Sequence, residues 1–123
     1  MILKEDSTEQ KLRGAYYTPL KLAEKMVDFF KQDASIKSIL EPSCGDGVFV
    51  DALVETQFLT QNRKVTAIEI EKNEAKKVAA KLKNNPNVSV VNRDFFEFYQ
   101  KYKDINKYDL ILGNPPYIRY QYL

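Results

Sequence analysis

The stretch SIKSILEPSCGDGVFVDALVETQFL, residues 35–59, changes its pattern twice. Its first seven residues, SIKSILE, predict a strand, and its last twelve, VFVDALVETQFL, predict a helix. Between them, EPSCGDG carries Gly45 and Gly47, which allow a tight turn and a close approach of a ligand to the backbone. A strand that turns through a glycine loop into a helix predicts an α/β domain.

The same alternation extends in both directions from this stretch. Upstream, YTPLKLAEKMVDFF predicts a helix with Thr18 as N-cap and Pro19 as first helical residue, since Leu22, Met26 and Phe30 are four residues apart. Downstream, KVTAIEI, NVSVV and YDLIL predict strands, and NEAKKVAAKLK and FFEFYQKY predict helices. In the first of these helices one face is apolar: Ala75, Val78, Ala79 and Leu82. The alternation predicts a parallel sheet with helices on both faces.

Composition limits the possible functions. With 123 residues, of which 44% are hydrophobic, the chain has enough material for one modest core. Its 19 basic and 17 acidic residues leave a formal charge of +2, which neither indicates nor excludes a nucleic-acid partner. A single cysteine excludes an internal disulfide, and the absence of histidine argues against a zinc site or a Ser-His relay. We find no export signal or membrane segment and expect a cytoplasmic protein without a metal.

In parallel sheets, ligands bind outside the carboxyl ends of the strands. The first strand runs into a loop whose spacing fits neither a dinucleotide fingerprint nor a P-loop. This loop carries Glu41 and Asp46, which would repel a phosphate but attract a cation or an ammonium group. The alternative is a plain glycine turn with solvated acids.

Two further strand ends carry acids. Glu69 follows Gly45 by 24 residues and is placed to accept hydrogen bonds from ribose hydroxyls, with Glu71 as the rival. Asp94 could accept from an adenine amino group and Phe95 could cover the ring, although singly they would more often be a helix cap and a core aromatic. Together the strand ends predict a nucleoside joined to an amino acid without phosphate, and S-adenosylmethionine fits that description.

The last predicted strand ends in the sequence Asn114-Pro115-Pro116-Tyr117. Two prolines hold the backbone extended and leave its carbonyls free to accept hydrogen bonds, while Tyr117 adds a stacking surface. Such an arrangement suits a flat ring that carries an amino group. The alternative, a simple turn, fits the same residue types.

At this point the sequence resembles a known family. GAYYTP, ILEPSCGDGVF, AIEI, NRDFF and DLILGNPPY are similar, in this order, to the motifs of NPPY-type DNA adenine-N6 methyltransferases of restriction-modification systems. The resemblance covers roughly residues 13–120 and implies a Rossmann-like methyltransferase sheet that binds S-adenosylmethionine. It implies double-stranded DNA as partner.

The resemblance also implies roles for individual residues. The cofactor would be bound near its methionine end by the YTP segment and the glycine loop, at the ribose by the end of the second strand, and at the adenine by the end of the third: Tyr17, Thr18, Pro19, Glu41, Ser43, Gly45, Asp46, Glu69, Asp94 and Phe95. The target adenine would be flipped out of the duplex and held by its amino group at Asn114 and Pro115, followed by Pro116, with Tyr117 stacked on the base. Cys44 is not needed as a nucleophile, because cytosine C5 chemistry would require a Pro-Cys pair and Ser43 follows Pro42.

Two alternatives remain open at this stage: a methyltransferase acting on a protein glutamine amide, and a non-catalytic module that binds S-adenosylmethionine. The domain is expected to comprise residues 13–123 after a tail of residues 1–12, with about four strands and truncation after the NPPY box. Without further strands or a target-recognition domain, such a fragment is expected to be inactive alone. An apolar edge left at its fourth strand predicts self-association.

Overall fold

A computed structural model describes residues 18–60 and 62–113. Four helices and four strands alternate along this part of the chain. The helices are α1 (Leu20–Asp28), α2 (Val48–Glu55), α3 (Lys72–Lys81) and α4 (Phe95–Tyr102), and the strands are β1 (Ser38–Glu41), β2 (Lys64–Glu69), β3 (Val88–Asn92) and β4 (Leu110–Ile111). Within these residues, no helix combines the length and apolar character that a membrane crossing requires.

The four described strands form one parallel sheet in the order β3-β2-β1-β4. The chain moves outward from β1 through β2 to β3, and then returns to place β4 on the other side of β1. The strand order therefore reverses between β1 and β4, and parallel sheets bind ligands at such a switch point. Within the part of the chain that the structure describes, two residue pairs join these strands, Ile39 with Leu110 and Leu40 with Ile111.

Both faces of the sheet are covered, as the sequence predicts. Alternate residues of a strand point to opposite faces, so Ile39 belongs to the larger core with α1, α2 and α3, whereas Leu40 belongs to the smaller core with α4. Phe58 and Leu53 are fully buried in the larger core. Phe98 of α4 anchors the smaller one.

The first helix is confirmed, but its start and its buried face differ from the prediction. The helix begins at Leu20 with Pro19 in the N-cap position, so the expected cap at Thr18 is wrong by one residue. The proline ring fixes φ near −60°, and the Pro19 carbonyl accepts the first helical hydrogen bond from the Ala23 N–H. Ala23 and Val27 are fully buried in the larger core, to which α2 also contributes.

The apolar residues that carried the helix pattern lie partly in solvent. Leu22 and Met26 are 50% and 38% exposed, and in α3 the predicted apolar residue Ala79 is also exposed. Predicted lengths differ as well: α2 ends at Glu55 rather than residue 59, because Gln57 adopts a left-handed φ of 60° before the buried Phe58. The pattern thus predicted the elements better than it predicted their faces and ends.

Two polar side chains hold the amino-terminal side of the sheet. The Asp109 carboxylate accepts hydrogen bonds from the N–H groups of Lys37 (2.8 Å) and Ser38 (3.1 Å), which lowers the pKa of Asp109 and ties the start of β4 to the start of β1. Arg63 is buried just before β2 and donates only to backbone carbonyls among the described residues. Neither contact was predicted from the sequence.

Candidate functional site

The glycine loop, residues 42–47, lies at the carboxyl end of β1. It is fixed to β2 by the Cys44 N–H, which donates to the Ile68 carbonyl at 2.8 Å, and it is closed by a 2.7 Å bond from the Gly47 N–H to the Cys44 carbonyl. Gly45 and Gly47 have φ angles of 53° and 85°, in the left-handed region that favours glycine. A Cβ atom on Gly47 would be 3.2 Å from Val78, whereas one on Gly45 would meet no atom of the described residues within 4 Å. Gly47 therefore packs on α3, and Gly45 borders open space.

Glu69 connects the end of β2 to the glycine loop. One carboxylate oxygen, Oε1, accepts from the Gly45 N–H at 2.9 Å, and the other, Oε2, accepts from the Glu71 N–H at 2.7 Å. Its side chain is 8% exposed, while Glu71 is exposed on the surface. Each carboxylate oxygen has a second acceptor position, so Glu69 can hold the loop and still accept from a ligand.

Glu41 is the most buried acid of the site, with 2% exposure. Its Oε1 accepts from the Ser43 N–H at 2.8 Å, and no ion pair joins it to a lysine or arginine within residues 18–60 and 62–113. Burial raises the pKa of Glu41 to about 7; the Ser43 hydrogen bond opposes this shift, and the negative charges of Glu69 and Asp46 add to it. A cation bound beside Glu41 would therefore favour its ionised form and lower its pKa.

Two side chains of the glycine loop differ in what they can do chemically. The Cys44 thiol is 3% exposed, and burial raises its pKa to about 12, so the thiolate required of a nucleophile does not form near neutral pH. This agrees with the expectation that Cys44 is not needed as a nucleophile. The Ser43 hydroxyl is buried and has no hydrogen-bond partner within the described part of the chain. Buried hydroxyls are normally paired, so Ser43 has spare capacity toward a ligand.

Asp94 and Phe95 follow the end of β3 and take the structural positions expected of such residues. Asp94 Oδ1 caps α4 by accepting from the N–H groups of Phe96 (2.8 Å) and Glu97 (3.2 Å). Phe95 is half-buried and packs against the smaller core. Their roles toward an adenine ring remain predictions.

Three further residues of the site carry contacts that sequence reasoning missed. The Asn92 amide donates to the Glu69 carbonyl at 2.8 Å and to the Ile70 carbonyl at 3.0 Å, which ties the ends of β2 and β3 together.

Lys81 Nζ donates to the Asp46 carbonyl at 3.2 Å and pairs with the Asp51 carboxylate at 2.8 Å, which links the glycine loop to α3. Gly113 lies against Glu41. The only sequence signal for Gly113 is a glycine directly after an apolar strand.

The predicted site is therefore partly assembled in the described residues. Glu41, Ser43, Gly45 and Glu69 converge at one edge of the sheet, and Asp46, exposed, accepts from the Val48 N–H at 3.2 Å and begins the turn into α2. Thr18 and Pro19 lie directly before α1, half-buried and exposed respectively, and their approach to a cofactor remains a prediction. The other predicted residues lie outside the described part of the chain: Tyr17, Asn114, Pro115, Pro116 and Tyr117.

Known proteins are similar to this chain in sequence and in fold. The O-methyltransferase from Bacillus cereus, solved in complex with SAH, superposes with a TM-score of 0.68 over 93% of this chain and 56% of its own, at 16% identity. It supports the Rossmann-like methyltransferase fold. Modification methylase CviBIII from Paramecium bursaria Chlorella virus NC1A is 33% identical over 119 residues, and type II methyltransferase M.HincII from Haemophilus influenzae is 30% identical over 118 residues.

Those alignments cover 95% and 96% of this chain but only 28% and 20% of the two relatives. The chain thus spans less than a third of the length of these curated relatives. The family model described as Eco57I restriction-modification methylase matches residues 7–123. This match confirms the resemblance read from the ordered motifs: the chain belongs to the Eco57I restriction-modification methylase family.

Proposed function

We propose that this chain forms the cofactor-binding part of a DNA methyltransferase that transfers a methyl group from S-adenosylmethionine to the exocyclic nitrogen of adenine. The observation that carries the proposal is the convergence of Glu41 and Glu69 on one glycine loop, beside the strand that runs into the NPPY box. Membership of a restriction-modification methylase family supports a DNA substrate and a role in such a system. A DNA substrate also supports a cytoplasmic location.

The residues of the site match S-adenosylmethionine in charge and in hydrogen-bonding capacity. The buried Glu41 carboxylate suits the ammonium group of the methionine part, and the Ser43 hydroxyl, which has no partner among the described residues, can add a hydrogen bond to it. Glu69 would accept from the ribose hydroxyls, while Asp94 and Phe95 would border the adenine. The open space beside Gly45 leaves room for the ligand's approach to the backbone.

When bound, the cofactor supplies an electrophilic methyl group on its sulfonium, and the protein's task is to position an amine nucleophile in line with it. For this step we assign the NPPY box. Asn114 and Pro115 would accept both amino hydrogens of a flipped adenine, which directs the nitrogen lone pair out of the ring plane, and Tyr117 would stack on the base.

We further propose that the 123-residue chain alone methylates duplex DNA negligibly. Flipping a base costs a few kcal/mol, and the chain spans only 28% and 20% of the length of two relatives. The remaining walls of the base pocket and the DNA-binding surface would come from other parts of a full-length protein. Ile111 on β4 is 62% exposed and belongs to an edge strand of the described sheet, which supports pairing or self-association there.

Replacing Glu69 with alanine is expected to weaken the binding of S-adenosylhomocysteine by about 1–3 kcal/mol, because the ribose loses a charged acceptor and the Gly45 N–H of the glycine loop loses its partner. Isothermal titration calorimetry with the 123-residue chain measures this change. The matched control is Glu71→Ala two residues away, whose exposed side chain should leave affinity unchanged. If the Glu69→Ala chain bound the ligand as tightly as the wild type, the assignment of Glu69 to the ribose would be rejected. If the Glu71→Ala chain then bound it more weakly, the role would pass to Glu71.

A further inference from the structure

We infer that the Glu41 carboxylate is a positioning group that couples the glycine loop to the end of β4, the strand that leads into the NPPY box. The inference rests on the proposed function, since it concerns how the cofactor and the methyl acceptor are aligned. It assigns Gly113 a role as well, namely to leave room for that carboxylate.

The geometry places Glu41 between two segments of the chain. On one side, its Oε1 accepts from the Ser43 N–H of the glycine loop at 2.8 Å. On the other side lies the backbone of Gly113, where an added Cβ atom would be 2.7 Å from Oε1, 3.2 Å from Cδ and 3.4 Å from Oε2. One carboxylate thus contacts both the loop and the residue bonded to Asn114.

The end of β4 depends on few other contacts. Among described residues, β4 pairs with β1 over two residues, followed by a single bond from the Leu112 N–H to the Leu40 carbonyl at 3.0 Å. Asp109 anchors the start of the strand, as described above. At its other end, beyond Leu112, the carboxylate of Glu41 is the neighbour of Gly113. Moving that carboxylate is therefore expected to move the end of β4.

Charge makes the position of this carboxylate sensitive to a ligand. Among the described residues, the groups that interact with it are the Ser43 N–H, the Cys44 thiol and the acids Glu69 and Asp46, none of which carries a positive charge. A cationic ligand would stabilise ionised Glu41 and hold it in place, and the same atoms would then fix Gly113. Cofactor binding and acceptor alignment are thereby coupled through one side chain.

The test is a double-mutant cycle with Gly113→Ala and Glu41→Asp. The alanine methyl meets the end of a flexible side chain rather than backbone, so we expect the fold to persist and the carboxylate to shift. In the wild-type chain, Gly113→Ala should weaken the binding of S-adenosylhomocysteine about tenfold. In the Glu41→Asp chain, whose shorter side chain has already withdrawn the carboxylate, the same substitution should weaken binding less than about twofold. At saturating cofactor, methyl transfer by the full-length Gly113→Ala protein should fall about tenfold.

Asn106→Ala, an exposed change in the segment before β4, serves as the control and should alter neither quantity. Thermal melting of each variant reports folding separately. The inference would be overturned if the losses in binding free energy caused by Gly113→Ala and Glu41→Asp simply added in the double variant. It would also be overturned if the Gly113→Ala protein bound the ligand and transferred methyl groups like the wild type. Neither result would affect the proposed function. A wild-type chain that binds no S-adenosylhomocysteine would overturn the proposed function and this inference with it.

Discussion

Replacing Asn114 with alanine in the full-length protein is expected to lower the turnover of adenine methylation on the order of 10²–10³-fold, as removal of one preorganised transition-state contact does. The amide oxygen would hold one hydrogen of the adenine amino group. That interaction strengthens as the nitrogen becomes nucleophilic, so its loss raises the barrier more than it weakens ground-state binding. Cofactor affinity should therefore change by less than about threefold, equivalent to well under 1 kcal/mol.

Single-turnover methyl transfer at saturating cofactor, combined with calorimetry, separates these two effects. Asn106→Ala is the matched control, because Asn106 is an exposed asparagine outside the site. An Asn114→Ala protein that retains wild-type turnover would remove the NPPY box from the mechanism. A variant that loses cofactor binding instead would place Asn114 in the cofactor site.

Replacing Arg63 with alanine is expected to destabilise the domain by about 3 kcal/mol, because a buried set of charge-assisted hydrogen bonds is lost. The guanidinium donates to the carbonyls of Lys31 (2.8 Å), Asp33 (2.9 Å), Ile36 (3.0 Å) and Phe58 (3.3 Å). It also lies 4.3 Å from the centre of the Phe58 ring. The substitution leaves carbonyl groups without this donor and a cavity beside the ring.

For a domain of this size the loss corresponds to a decrease of roughly 15 °C in melting temperature. Differential scanning calorimetry of the 123-residue chain measures it, with Arg93→Ala as the control because Arg93 is exposed. If the Arg63→Ala and Arg93→Ala chains had the melting temperature of the wild type, the claim that the buried Arg63 guanidinium stabilises the domain would be wrong.

The order of the elements could be predicted from the sequence because it depends on local patterns. The stretch around EPSCGDG contains a strand, a glycine turn and a helix within its own residues, and the structure has β1 and α2 there. Periodicity likewise found α3 and α4. It misjudged the face of α1, because Leu22 and Met26 satisfy the helical spacing as well as Ala23 and Val27 do.

Contacts between residues far apart in the chain could not be predicted, because no local sequence pattern indicates them. Arg63 reaches carbonyls 27 to 32 residues earlier in the chain, and backbone acceptors carry no residue identity. Glu41 was predicted as a cofactor residue from its place at the end of the first strand and from the family resemblance, but its proximity to Gly113 requires the parallel pairing of β1 and β4. The charge of Glu41 could be predicted; its burial, which raises its pKa to about 7, required the fold.

Nucleoside analysis after methyl transfer tests the central claim most directly. The full-length protein is incubated with unmethylated duplex DNA and S-adenosylmethionine labelled in its methyl group, and the DNA is then digested to nucleosides. We expect the label in N6-methyldeoxyadenosine, and none when Asn114→Ala replaces the wild type under single-turnover conditions too short for the slowed reaction. Label in a methylated cytosine or on protein glutamine, or no transfer by a protein that binds the cofactor, would contradict the assignment as a DNA adenine methyltransferase.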